Sequence, residues 1–351
     1  MSKEYVPSRQ QEIGAKDVAE AAGVSRIMVS RAFNRDASVK SDKREHILKI
    51  AAELGYHPDM AARSMARGRS NLVAILVPNL SQPWEAMEVD ALVRALQRNG
   101  MASLLFRMSP QRIGSEDLVQ VRAYKPAAVI AYMDSLSPRE LVPLFGNTPS
   151  IYPHYGTDVP APQGGQRVDR LHIEQHAGIR SAVRLLAGSG RKRIVYVSGL
   201  GTEHTQEARN ANSDHDRLVA LNESIAEFGL ELVAKLEGDF DYETARQNTC
   251  NFIRAGGKTD AFFAANDVSA FGVMDALRFD LGLRVPEDHA VVGFDNVPQA
   301  GWRAYDLTTV NLSVEARVAA IMRLVKSRLA DPDGPTRVET VAASLIVRSS
   351  V

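Results

Sequence analysis

Residues 15 to 34 read A-K-D-V-A-E-A-A-G-V-S-R-I-M-V-S-R-A-F-N, and the chemistry open to them is hydrogen bonding to nucleic acid. Arg26 carries a planar fork of donors that matches guanine O6 and N7, and Ile27 beside it can pack on a thymine methyl. Ser30, Arg31 and Asn34 follow at positions suited to gripping phosphates, which fixes register without reading bases. Ser25 stands where a side-chain oxygen can cap the first turn of a helix. A second set of polar groups lies far along the chain, where Asn79, Asn266, Asp267 and Asp295 each follow an apolar run. Amides and carboxylates in such places can donate to and accept from the vicinal hydroxyls of a small molecule.

The amino-terminal residues need a rigid carrier. A helix-turn-helix requires a small residue where its helices touch, a positive φ in the turn, and an apolar residue on the second helix facing back. Ala19, Gly23 and Val29 meet those needs in order. A third helix from Ser41 would put Ile47, Ile50, Ala51 and Leu54 on one apolar face, leaving Arg26, Arg31, Arg35, Lys40, Lys43 and Arg44 outside.

Beyond Ser70 strands and helices alternate. Strand-like runs fall at Leu72 to Val77, Ala102 to Phe106, Ala127 to Tyr132, Ile194 to Ser198, Leu232 to Lys235, Ala261 to Ala265 and Ala290 to Phe294. Helical stretches lie between them, among them Trp84 to Arg98, Asp214 to Phe228, Tyr242 to Ala255 and Asp267 to Leu281. This alternation predicts parallel sheets covered by helices. The Pro- and Gly-rich stretch 156 to 180 divides it into two series, hence two subdomains. Ligands of such sheets bind beyond the carboxyl ends of the strands, so Asn79, Asn266 and Asp295 are expected at one cleft. Asp267 reads as the N-cap of the helix it opens.

The chain of 351 residues holds 42 Lys and Arg against 42 Asp and Glu. That balance conceals an asymmetry, because residues 1 to 70 hold 13 basic against 9 acidic side chains and leave 29 against 33 for the rest. One end is therefore suited to a polyanion. A lone cysteine, Cys250, excludes an intramolecular disulfide and fits a reducing compartment. No apolar run approaches a membrane span and no apolar leader opens the chain, so a cytoplasmic protein without a membrane partner is expected. Gly188-Ser-Gly190 and Gly199-Leu-Gly201 lack the third glycine of a dinucleotide fingerprint, and no G-x-S-x-G or phosphate loop occurs. Neither an enzyme nor a bound cofactor is expected. On a helix, His172 and His176 would share a face, but they have no identifiable third partner, so no metal site is expected.

The stretches K-D-V-A-E-A-A-G-V-S-x-x-x-V-S-R-A-F-N and E-L-G-Y-H-P-D-M-A-A-R-S-M resemble the DNA-binding and hinge segments of the lactose-repressor (LacI/GalR) family. The resemblance continues in V-P-N-L-S-Q-P-W, A-A-N-D-V-S-A-F-G-V, L-R-V-P-E-D-H-A-V-V-G-F-D-N, L-T-T-V and L-I-V-R-S-S, from residue 13 to the end. It implies an α-helical helix-turn-helix headpiece in 1-58, a hinge helix and linker in 59-70, and an effector-binding, dimerising α/β core in 71-351. That core is like a periplasmic binding protein, with two doubly wound parallel-sheet subdomains, roughly 71-178 with 308-331 and 179-307 with 332-351. By the same resemblance Asp169, Arg217, Asn266 and Asp295 take the polar effector positions and Trp84 and Phe240 the aromatic ones. Met65 stands where the family usually has a leucine that wedges into the minor groove. Gly14 replaces the usual threonine cap of the first helix.

A sequence-specific DNA-binding regulator, a repressor acting as a homodimer on a pseudo-palindromic operator, is the function these readings imply. A small effector between the lobes would control it, with a sugar or sugar acid ahead of a purine-like base. The rival, an exported sugar-binding protein, would share the core but have no use for a basic helical headpiece.

Overall fold

The structure is a computed structural model that describes residues 13–33, 38–57, 70–78, 80–108, 115–132, 146, 148–154, 168–199 and 213–351. It divides into two compact units, 1–70 and 71–351.

In the first unit three helices, α1 (Ala15–Ala21), α2 (Arg26–Ala32) and α3 (Ser41–Glu53), close on one another. Gly14 gives α1 no side-chain cap, and the Asp17 carboxylate instead accepts from the Gly14 N–H at 2.8 Å. The turn between α1 and α2 passes through Gly23 at φ +62°, a left-handed conformation that costs other residues energy. Ser25 Oγ then accepts from the Met28 N–H at 3.2 Å and caps α2. Val18, Ala19, Val29, Ala32, Ile47 and Ala51 form the core, with Phe33 edge-on to Tyr56 at 5.7 Å. The expected four-residue face of α3 narrows, because Ile50 is only partly buried and Leu54 is 36% exposed. Leu54 is the C-cap residue, so it no longer continues the helical face.

The second unit runs β1 (Leu72–Val77), α4 (Pro83–Arg98), β2 (Ala102–Arg107), α5 (Ser115–Ala123), β3 (Ala128–Ala131), β4 (Ser150–His154), β5 (Val168–Glu174) and α6 (His176–Gly188). It continues with β6 (Arg193–Ser198), α7 (Ser213–Phe228), β7 (Glu231–Glu237), α8 (Tyr242–Arg254), β8 (Ala261–Ala264) and α9 (Asp267–Asp275). A π-helical turn (Ala276–Asp280), β9 (Ala290–Asp295), a 3-10 turn (Pro298–Gly301), β10 (Thr308–Asn311), α10 (Val314–Ala330), β11 (Val338–Ala342) and β12 (Ser344–Ile346) complete it. Two six-stranded sheets result, in the orders β11-β5-β4-β3-β1-β2 and β12-β10-β9-β8-β6-β7. Among the described residues all pairings are parallel except β10 with β12. Central strands such as β1 and β9 are buried on both faces, which is why they read as unbroken apolar runs.

The chain changes lobe at different points from those expected. Thr308–Asn311 still belongs to the second sheet, pairing in register with Val292–Asp295, and Thr309 Oγ1 donates to Asp267 at 2.6 Å. Val338–Ala342 belongs to the first sheet, beside β5. Three crossings follow, at Gln175, at Leu312–Ser313 and at Ala343. They pack tightly: a Cβ on Gly178 would come within 2.7 Å of Val310 and 3.1 Å of Ala343.

Candidate functional site

On the headpiece, Ser25, Arg26, Ile27, Ser30 and Arg31 are all exposed along the outer face of α2. Ile27 is 67% exposed although it is a large apolar side chain. The Ser25 cap fixes where the helix starts, so Arg26 and Ile27 occupy its first turn, the part of a recognition helix that reaches base edges. Asn34 and Met65 lie outside the described residues, as does Asn79 in the core.

In the core, polar and aromatic side chains gather where the two lobes meet at the carboxyl ends of the strands. Arg217 is 4% exposed, and its guanidinium lies 3.9 Å from the Phe294 ring centroid and 6.0 Å from that of Phe240. It is positioned by the first turn of α7, where Asp214 accepts from Tyr196 Oη at 2.5 Å and from the Gly199 N–H at 2.7 Å. Arg217 donates to the Ala265 carbonyl and, through Nε at 3.4 Å, to Gln175 Oε1. Phe240, at φ +50°, lays its ring on Gly199, where a Cβ would sit 2.0 Å from the ring. From the other lobe Gln82 donates to the Phe240 carbonyl at 2.9 Å.

Asp295 ends β9 at φ +110° and Asn296 follows at +59°. Backbone strain of this kind concentrates at functional loops. Burial pushes the Asp295 carboxyl well above the usual carboxylate range, against the opposing pull of Arg217, with Asp267, Glu85 and Arg317 also acting on it. Arg317 comes from α10 and stacks 4.5 Å from the Trp84 ring. It also clasps Glu88 through two hydrogen bonds of 2.7 and 3.0 Å in a fully buried pair. Desolvation raises the Glu88 carboxyl, with Arg317 opposing it. Arg217, Phe240, Trp84 and Asp295 are thus brought to one region.

Asn266 rather than Asp267 is the N-cap of α9, its side chain accepting from the Ser269 N–H at 2.8 Å. Asp267 is sunk one residue further in, accepting from Thr309 Oγ1 and from the Val297 N–H at 2.8 Å. Burial drives its carboxyl up to about 7, partly offset by those two hydrogen bonds.

Asp169 takes a different place from the one its resemblance implied. It is the second residue of β5, at the strand end opposite the cleft, and it is fully buried. Its carboxylate accepts from Arg328 Nε at 2.9 Å, again from Arg328 Nη2, and from the Arg337 N–H at 2.8 Å. Arg328 also donates to the carbonyls of Gly334 and Pro335, so the cluster holds the segment that leads into β11. At the carboxyl end of the same strand sits Gln175, which the sequence reading did not single out. The rule that ligands lie past strand ends would have found it had the extent of β5 been known. His172 lies in β5 while His176 opens α6 and pairs with Glu223 at 3.3 Å, so the two do not share a helix face.

The family model for bacterial regulatory proteins of the lacI family matches residues 15–59, and that for a periplasmic binding protein-like domain matches residues 183–351. The HTH-type transcriptional repressor PurR of Photobacterium profundum is 24% identical over 341 residues, which covers 96% of this chain and 98% of that protein. PurR of Mannheimia succiniciproducens is 26% identical over 339 residues, with the same two coverages. The lac repressor dimer bound to operator and the anti-inducer ONPF superposes with a TM-score of 0.79 at 23% identity, over 97% of this chain and 99% of that one. The complex of the transcriptional regulator CelR with cellobiose gives a TM-score of 0.65 at 25% identity, over 97% and 100%. With a lacI-type headpiece, a binding-protein-like core and relatives that align along almost their whole length, the chain belongs to the LacI family of bacterial regulatory proteins.

Proposed function

We propose that the protein is a transcriptional repressor that binds a pseudo-palindromic operator as a homodimer in the cytoplasm, and that a sugar or sugar acid bound between its core lobes sets its operator affinity. The observation that carries the reading is the convergence of Arg217, Phe240, Asp295 and Trp84 where the lobes meet, in a chain whose headpiece exposes Arg26 and Ile27. Aromatic faces suit the apolar side of a pyranose, and the amide and carboxyl groups suit its hydroxyls. CelR, a structural relative, holds cellobiose. The control is a linkage: a ligand that prefers one lobe arrangement biases the segment joining core to headpiece, and operator affinity changes by the same free energy. In that reading Ser30, Arg31 and Asn34 hold phosphates, Met65 wedges the minor groove, and Asn79 joins the effector set.

A gel-shift titration on DNA upstream of the gene, with and without ligands that raise the thermal midpoint in a screen of sugars, sugar acids and nucleobases, tests it. Asp295→Ala is expected to remove the ligand response and keep ligand-free operator binding. No specific shift on any upstream fragment, or full ligand response in Asp295→Ala, would count against it.

A further inference from the structure

Among the described residues of the cleft, Gln175 Nε2 and Trp84 Nε1 are buried with no hydrogen-bond partner. Their side chains are 1% and 6% exposed. The orientation of the Gln175 amide is fixed by its neighbour. Arg217 Nε can only donate, and it meets Gln175 Oε1 at 3.4 Å, so the NH2 end is the one left open. The indole N–H of Trp84 is likewise a donor and nothing else. Buried donors without acceptors are costly, and a ligand that brings acceptors would relieve both.

The charge beside them points in the same direction. Arg217 places a buried guanidinium against Gln175, to whose Oε1 its Nε donates. The raised Asp295 carboxyl keeps its proton to higher pH and can donate as well. Glu174, the carboxylate next to Gln175 in sequence, accepts from the Ala177 N–H at 3.1 Å and so caps α6. Gln175 is also the single residue between β5 and α6, so an acceptor held there is held at a lobe crossing.

Taking the cleft to be the effector site as read above, we propose that the effector is a polyhydroxylated carboxylic acid of the aldonic or uronic class. Its carboxylate accepts from Gln175 Nε2 beside the Arg217 charge, and Gln175 is the residue that distinguishes the acid from its neutral parent sugar. Trp84 donates to a ring or hydroxyl oxygen of the same ligand. A neutral sugar offers hydroxyls that must both give and take, whereas a carboxylate only accepts, which is what an amide NH2 and a guanidinium require.

The test is calorimetric titration of the full-length protein with gluconate, galactonate, glucuronate and galacturonate, each beside glucose or galactose as its parent. At least one acid is expected to bind about tenfold or more tighter than its parent. Gln175→Glu sets a second carboxylate against the incoming one and should erase that preference. Gln175→Leu removes the Nε2 donor, and with it the Oε1 that Arg217 Nε meets, without adding charge; it should weaken the acid about tenfold and the neutral sugar less. Thermal unfolding and ligand-free operator binding establish that both variants are folded. A parent sugar that binds as tightly as its acid, or an acid preference that survives both variants, overturns this inference and leaves the cleft as an effector site. Acid binding untouched by the Gln175 variants and by Asp295→Ala places the ligand elsewhere and overturns both readings. Binding of adenine or guanine with no acid or sugar bound does the same.

Discussion

Arg26 and Arg31 are both exposed arginines on α2, yet their expected roles differ because one sits in the first turn and the other a turn and a half later. Arg26→Ala is expected to cost about 1–3 kcal/mol on the cognate operator and to relax preference at one base position per half-site. Arg31→Ala should weaken specific and random DNA alike and flatten the salt dependence. Gel shifts on both DNAs at several salt concentrations separate the two, and equal losses for Arg26→Ala would refute its assignment. In the core, buried charge makes sharper demands. Asp169→Ala leaves Arg328 buried without its carboxylate, and a loss of about 3–5 kcal/mol of core stability is expected in denaturant titration. Asp267 adds a pH dependence: its folded carboxyl is held up at about 7 against an ordinary 3.8. Between those values the unfolded chain has released the proton and the folded chain still holds it, so stability falls as pH rises through the window. Asp267→Asn should flatten that fall in the thermal midpoint measured from pH 4 to 7, and an unchanged slope would contradict the assignment.

Among the elements, strands that form unbroken apolar runs were legible and strands interrupted by polar side chains were not. The buried runs of β1 and β9 and the caps around α2 follow from residue type alone. Ser25→Ala should accordingly cost about 1 kcal/mol of headpiece stability in thermal unfolding. The strands β10, β11 and β12 read T-T-V-N, V-E-T-V-A and S-L-I, with polar residues breaking any apolar run, so the lobe crossings were misplaced by one strand on each side. Polar interruption explains the site as well. β5 reads V-D-R-L-H-I-E, with no apolar run to mark it, so Asp169 and Gln175 could not be assigned to its opposite ends, and a resemblance in V-D-R pointed to the end away from the cleft. Asn266 and Asp267 show a finer limit: adjacent residues of similar capping ability exchange roles according to which one the buried Thr309 hydroxyl and Val297 N–H reach.

For the whole molecule, a two-fold dimer doubles the DNA contact of a headpiece that buries little by itself, and sedimentation equilibrium at micromolar protein should give the dimer mass. A monomer that stays monomeric with operator present would count against it. The lobe crossings carry a consequence for biosynthesis. One edge strand of each sheet, β11 and β12, is made by the ribosome only after every other strand of that sheet. Neither lobe can then reach its final hydrogen-bonding complement until late in translation, and both must close together once residue 346 has emerged from the exit tunnel. Nascent chains stalled short of residue 338 should remain protease-sensitive in both lobes at once, and a few added codons should convert a pair of half-built sheets into a protected core in a single step.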